Sequence, residues 1–300
     1  MRIPVLILAA CAASTLDWAA PAHSAPSTIA PAEQRLDRIS ISTVGTGSPV
    51  VLIPGLSTPR AVWDGIVPSL AGDHQVILVQ VNGFAGDDPG GNLQPGILDG
   101  IAADLHSYLA SQHLKPARVI GHSMGGLAAL KFTKAHPEQV QSVLVVDSLP
   151  FFAVLMDPRA TVETVKPMAE TMRTRVASAY GKPADAAAIE ANVKSLALKP
   201  ESIAKMKLWA AAADPRVTGQ ALYEDLTTDI RPDLAAIKTR VTLIVPWNDQ
   251  AFGEDRTLAF YRKQYATLPG VTFVGIGDAG HFVMLDQPQR FAEEVEAFLR

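Results

Sequence analysis

The sequence predicts an α/β fold: a mostly parallel, doubly wound sheet with a helical cap inserted late in the chain. Three observations carry this. Short β-branched runs alternate with longer stretches of helical period. Several of those runs are apolar almost throughout, as strands covered on both faces require. The alternation then stops between Leu149 and about Asp233, where helical spacing alone remains. With 300 residues, 48% of them hydrophobic, the chain has enough apolar side chain to bury a full core.

The first segment does not belong to that core. Residues 1–25 combine Arg2, an apolar stretch that ends before Asp17, and small residues around Ala20 to Ala25, the pattern of a secretory signal peptide. Cleavage after Ala22, Ser24 or Ala25 fits equally, and an exported protein, periplasmic or extracellular, is expected. The one cysteine, Cys11, closes Leu8-Ala9-Ala10-Cys11, which resembles the lipobox of bacterial lipoproteins. A lipid anchor at Cys11 is therefore the alternative, and a plain small residue of the leader is the simpler reading. The mature chain would have no disulfides. Residues 26–35, rich in Pro, Ala and Ser, read as a linker.

The core is expected over residues 36–148 and 234–300, with the cap at 149–233. Strands are expected at 38–44, 50–53, 75–81, 118–120, 143–146, 241–245 and 271–276. Between them, Ile101, Leu105, Tyr108 and Leu109 form one helical stripe, and Leu258, Tyr261 and Tyr265 another. Phe291, Val295, Phe298 and Leu299 form a third, for which Asp286 fits as N-cap with Pro288 in the first turn. Within the insertion, Val162, Val165, Met172 and Val176, then Ile203, Met206 and Trp209, recur at helical spacing.

Charge narrows the partner. A net charge of -4 with both signs interspersed gives no nucleic-acid surface and no polybasic membrane patch, so a small-molecule substrate is expected. No H-E-x-x-H and no cysteine pair exists, so metal catalysis has no support in the sequence. The run Asn82-Gly83-Phe84-Ala85-Gly86-Asp87-Asp88-Pro89-Gly90-Gly91 lacks both a phosphate fingerprint and calcium-loop spacing, and reads as a flexible loop.

The chemistry centres on Val119-Ile120-Gly121-His122-Ser123-Met124-Gly125-Gly126. A strand ends here and a helix begins, so Ser123 occupies a sharp G-x-S-x-G turn. There the hydroxyl is lifted from the sheet and the Met124 N–H, at a new helix N-terminus, faces developing negative charge. A serine hydroxyl needs a base. His281, in Gly277-Asp278-Ala279-Gly280-His281-Phe282 just after the last strand, is the best placed. His74, His106, His113, His122 and His136 read as surface or packing residues, and His23 falls in the leader. The base needs a carboxylate. Asp249, past strand 241–245, is the first choice, and Asp147, at the end of strand 143–146, the rival; Asp278 and Asp255 are weaker candidates.

With Ser123, Asp249 and His281 in that order, the chain from Leu36 to Arg300 resembles the α/β-hydrolase superfamily, in particular its lid-bearing, esterase-like serine hydrolases. The resemblance implies a second oxyanion donor in Val50-Val51-Leu52-Ile53-Pro54-Gly55-Leu56, making the Leu56 N–H the partner of Met124. Pro54 departs from the histidine many members carry there, and no H-G-G-G run is present. The implied activity is cofactor-free hydrolysis of a carboxylic ester through an acyl-enzyme. Other acyl or carbon–carbon bond hydrolysis, cofactor-free perhydrolysis, and a non-catalytic ligand-binding role remain as alternatives.

Overall fold

The structure, a computed structural model, describes residues 33–300. The leader, its cleavage positions, Cys11 and His23 lie outside the described residues. Eight strands form one sheet in the order β1-β2-β4-β3-β5-β6-β7-β8. They are β1 (Glu33–Arg35), β2 (Ile39–Val44), β3 (Ser48–Ile53), β4 (His74–Val81), β5 (Ala117–His122), β6 (Val140–Val146), β7 (Arg240–Pro246) and β8 (Thr272–Ile276). Strands β1 and β2 are antiparallel, as are β2 and β4; every pairing from β4 to β8 is parallel. The sequence placed 33–35 in a linker. Those residues instead form an exposed edge strand of polar side chains, a composition that carries no apolar signal and suits a sheet edge.

Among the described residues ten α-helices accompany the sheet: α1 (Val67–Leu70), α2 (Ile97–Ser111), α3 (Met124–Ala135), α4 (Val162–Ala177), α5 (Ala186–Lys194), α6 (Pro200–Ala212), α7 (Pro215–Thr227), α8 (Gly253–Gln264), α9 (Val283–Asp286) and α10 (Pro288–Leu299). Two hydrophobic clusters form, one on each face of the sheet. Val51, Ile53, Val119, Val143 and Leu243 point to the cluster that takes in α2, α3 and α8. Val50, Leu52, Ile120, Leu144 and Ile244 point to the one that takes in α10. Alternate residues of one strand feeding opposite clusters is what the period of two dictates, and it explains why these strands read as unbroken apolar runs. The stripes Ile101-Leu105-Tyr108-Leu109 and Phe291-Val295-Phe298-Leu299 are buried along their whole length.

Between β6 and β7 the chain is helical, with α4 to α7 and short 3₁₀ turns at Phe152–Leu155 and Arg231–Ala236. Thr161 caps α4 through a reciprocal pair with Thr164, and the Asp185 and Asp214 carboxylates cap α5 and α7. Asp286 does not cap α10, whose N-cap is Gln287. Asp286 sits one residue earlier, at the end of α9 and fully buried, and its carboxylate is taken by three backbone N–H groups elsewhere. Among the described residues no helix is long and apolar enough to cross a membrane.

The strand order places the functional edge. The chain runs from β3 outward to β4, then returns past β3 to lay down β5, so the connections diverge between β3 and β5. A crevice opens at such a switch point, beyond the carboxyl ends of the two strands. Register pairs Ile53 with Gly121, which sets Gly55 opposite Ser123.

Candidate active site

Ser123 lies between β5 and α3 with φ 55° and ψ −126°, a backbone conformation that costs a non-glycine residue of order 1–3 kcal/mol. Its N–H donates to the Val146 carbonyl at 3.0 Å, fixing it to the end of β6. The neighbouring glycines are a packing demand. A Cβ on Gly121 would stand 2.2 Å from the Gly125 carbonyl oxygen, and one on Gly125 would stand 2.4 Å from the carbonyl oxygens of both Ile53 and Pro54. These obstacles are backbone, so nothing larger than glycine fits where β3, β5 and α3 converge.

Across the crevice, the Thr58 N–H donates to the Gly55 carbonyl at 3.2 Å and closes a turn with Ser57 in the left-handed region, φ 54°. Gly55 lies so close that a Cβ there would be 3.0 Å from the Ser123 Cβ. The Ser57 hydroxyl pairs with Thr218 of α7 at 2.9 Å, tying this turn to the insertion. Among the described residues, neither the Leu56 nor the Met124 N–H is engaged by an acceptor within the chain. Both expected oxyanion donors thus keep their hydrogen-bonding capacity beside Ser123.

The loop after β8 brings His281 back over the ends of β7 and β6. Its Nδ1–H donates to Asp147 Oδ2 at 2.6 Å, leaving Nε2 as the unprotonated ring nitrogen. Asp147 follows β6 directly. It sits at φ 43°, and its N–H is held by the Ile244 carbonyl at 2.9 Å. The other carboxylate oxygen accepts from the Tyr261 hydroxyl. Burial, and then the charge of Asp147, push the Tyr261 phenol well above its ordinary range, so it stays a donor. Tyr265, one helical turn on, donates to the Ser148 carbonyl at 2.9 Å. The stripe Leu258-Tyr261-Tyr265 is therefore more than core: the hydroxyls of Tyr261 in α8 and of Tyr265 just past its end order the segment that carries Asp147.

This geometry corrects the expected partner of His281, which is Asp147 and not Asp249. Asp249 is exposed, in a turn where the Asn248 carbonyl accepts from Ala251 and Gly253. The His281 loop meets that turn through Trp247 and Asn248, whose backbone and side chain bond Ala279. Asp249 lies three residues beyond β7 and the chain has turned away by then; Asp147 is the first residue past β6 and cannot.

His281 is also held by its backbone. Its carbonyl accepts from His122 Nε2 at 2.9 Å. The Gly280 N–H donates to Asp286 at 2.9 Å, and the Phe282 N–H to the Leu196 carbonyl at 3.2 Å. The sequence marks His122 only as a surface or packing residue. It is fully buried and packs its ring 4.5 Å from that of His281.

Two other features resolve structurally. The loop expected to be flexible, 82–91, is pinned: Asn82 and Asn92 are buried and donate to the carbonyls of Leu36, Asp37, Arg38 and Asn82 itself, and Phe84 is fully buried. The donor atoms of His106, His136 and Glu138 lie within 4.8 Å of one another. The two rings are stacked at 3.9 Å and 13°, however, so their in-plane lone pairs run side by side and do not converge, and His106 Nδ1 is taken by Gln139. Ring packing accounts for that group.

Comparison with known proteins gives the same frame. A model described as the alpha/beta hydrolase family matches residues 50–294. A pimeloyl-[acyl-carrier protein] methyl ester esterase of Aeromonas hydrophila is 34% identical over 114 residues, 38% of this chain and 43% of that protein. The matched part is thus under half the length of that relative. A thermophilic esterase from Thermogutta terrifontis superposes with TM-score 0.73 at 22% identity, covering 90% of this chain and 98% of that one. The enol-lactonase of Burkholderia xenovorans superposes with TM-score 0.69 at 18% identity, covering 87% and 96%. A strained serine at the switch point, under a histidine held by an acid, sits within a family match that spans most of the sequence: the chain belongs to the alpha/beta hydrolase family.

Proposed function

We propose that this protein hydrolyses a carboxylic ester through an acyl-enzyme on Ser123, with His281 as base, Asp147 as the acid that orients it, and the Leu56 and Met124 N–H groups as oxyanion donors. The observation that carries the reading is the 2.6 Å bond from His281 Nδ1 to Asp147, which directs the basic Nε2 away from the acid, at the edge where Ser123 emerges. In the first half-reaction His281 Nε2 takes the Ser123 hydroxyl proton as Oγ bonds the acyl carbon. The ester C–O bond then breaks and the alcohol leaves with that proton. In the second, water gives a proton to His281 and attacks the acyl carbon; the bond to Oγ breaks, the acid departs and Ser123 regains its proton. Asp147 stabilises the imidazolium in both halves. No cofactor is required. The leader pattern in residues 1–25 supports export, and the name of the Aeromonas relative supports an ester over other acyl substrates.

A fluorophosphonate probe tests the assignment. One adduct on Ser123 by intact mass is expected, with none in Ser123→Ala, and turnover of an activated ester should fall at least ~10⁴-fold in that variant. A folded Ser123→Ala protein that keeps more than about a tenth of the rate would show that Ser123 is not the nucleophile.

A further inference from the structure

We infer that His122 is a positioning residue for His281, acting through the hydrogen bond from its Nε2–H to the His281 carbonyl. The inference rests on the reading of Ser123 and His281 as nucleophile and base. It starts from an oddity of burial. His122 has no exposed surface, and its Nδ1 has no hydrogen-bond partner among the described residues. An unmet buried acceptor is destabilising, so an apolar ring would fill the space at less cost. What an apolar ring lacks is a donor.

The acceptor decides the tautomer. A carbonyl can only accept, so at 2.9 Å the proton must be on His122 Nε2, which leaves Nδ1 bare. That bare nitrogen faces the oxyanion loop, where a Cβ on Gly55 would be 3.0 Å from it. Burial, and next the neighbouring His281, hold the pKa of His122 well below the ordinary histidine value, so it remains neutral beside an imidazolium on His281. The ring lies 4.5 Å from the His281 ring and 4.8 Å from that of Phe282. His122 therefore touches the base from beneath and grips its main chain, while being joined by a peptide bond to Ser123. A shift of the elbow is carried directly into the placement of His281.

Four bonds locate the base: Asp147 fixes the ring, His122 fixes the carbonyl, Asp286 fixes the preceding N–H and Leu196 the following one. Only the His122 bond originates on the segment that bears the nucleophile. Its removal should change the distance between Ser123 and His281 more than it changes the affinity for substrate, because His122 is buried beneath the site.

The test compares His122→Phe, which keeps a ring and loses the donor, with His122→Gln, whose side-chain amide can place an N–H close to the lost Nε2–H. Steady-state ester hydrolysis and the second-order rate of fluorophosphonate labelling are read at fixed pH, with thermal melts to compare the folded proteins. For His122→Phe, kcat and the labelling rate should fall roughly ten- to a hundredfold with KM within about threefold of wild type; His122→Gln should recover most of that loss. Equal rates in wild type and His122→Phe would overturn the inference, as would a folded His122→Gln as slow as His122→Phe. Should His122→Phe not fold, the His122→Gln rate and the ¹⁵N shifts of the His122 ring in the wild-type protein decide: a ring protonated on Nδ1 refutes the bond. Failure of the wild-type protein to label at all would instead overturn the nucleophile assignment on which the inference rests.

Discussion

Asp147 and Asp249 show how a single residue's position past a strand decides its chemistry. Both follow parallel neighbours, β6 and β7, and both could supply a carboxylate to the same edge. Asp147 alone is locked by three groups: the Ile244 carbonyl on its N–H, Tyr261 on one oxygen and His281 on the other. Asp147→Asn keeps the size but removes the charge that stabilises the imidazolium and offers an amide where an acceptor is needed. Ester turnover should drop by about three to four orders of magnitude. Asp249→Asn, on an exposed turn, should leave turnover within about twofold, since surface substitutions away from structural features rarely matter. Parallel kinetics on the two purified variants check this; the opposite ranking would return the acid to β7.

At the scale of elements, the sequence was legible wherever one side chain's type forced the outcome. Uniformly apolar strands had to be covered on both faces, and Gly121, Ser123 and Gly125 had to form a tight turn. It was not legible where the outcome depends on a partner distant in sequence. Asp286 looked like a cap for α10 because Pro288 follows it, but three N–H groups from elsewhere claim its carboxylate. The 82–91 loop looked loose because glycines and aspartates dominate it, yet two buried asparagines staple it to the segment before β2. Helix α7 holds a similar surprise in Asp225, which is buried with Oδ1 unpartnered among the described residues; burial pushes its carboxyl up to about 8. The folded chain then keeps a proton there that the unfolded chain releases near its ordinary value. Between about pH 5 and 7 the folded state binds more protons, so stability falls as pH rises, by roughly 1 kcal/mol per pH unit from this group alone. Asp225→Asn should remove that slope and leave a protein more stable than wild type at pH 7 by more than at pH 5. Urea unfolding of both proteins at the two pH values measures it, and parallel stability curves would show that Asp225 is already ionised in the fold.

Over the whole molecule, the site is assembled from segments far apart in the chain, and the helical insertion is one of the parts that hold it. Leu198 and Lys199, just before α6, donate to Asp286 at 2.9 and 3.2 Å, while Gly280, beside the base, donates to the same carboxylate at 2.9 Å. The Leu196 carbonyl takes the Phe282 N–H, and Thr218 of α7 pairs with Ser57 beside Leu56. The insertion therefore bonds both to the loop that carries His281 and to the turn that carries Leu56, so a movement of α6 is expected to shift His281. Asp286→Ala tests this coupling. Oδ2 takes the N–H groups of both Leu198 and Gly280 and Oδ1 takes that of Lys199, so an alanine removes the acceptor shared by the insertion and the His281 loop. The cost should be about 1–3 kcal/mol for each N–H left unpaired. Hydrogen exchange followed by mass spectrometry should show residues 196–199 and 280–282 losing protection together, while β5 and α3 keep theirs. Loss confined to one of the two segments would mean that Asp286 supports each separately and that the insertion can move without disturbing His281.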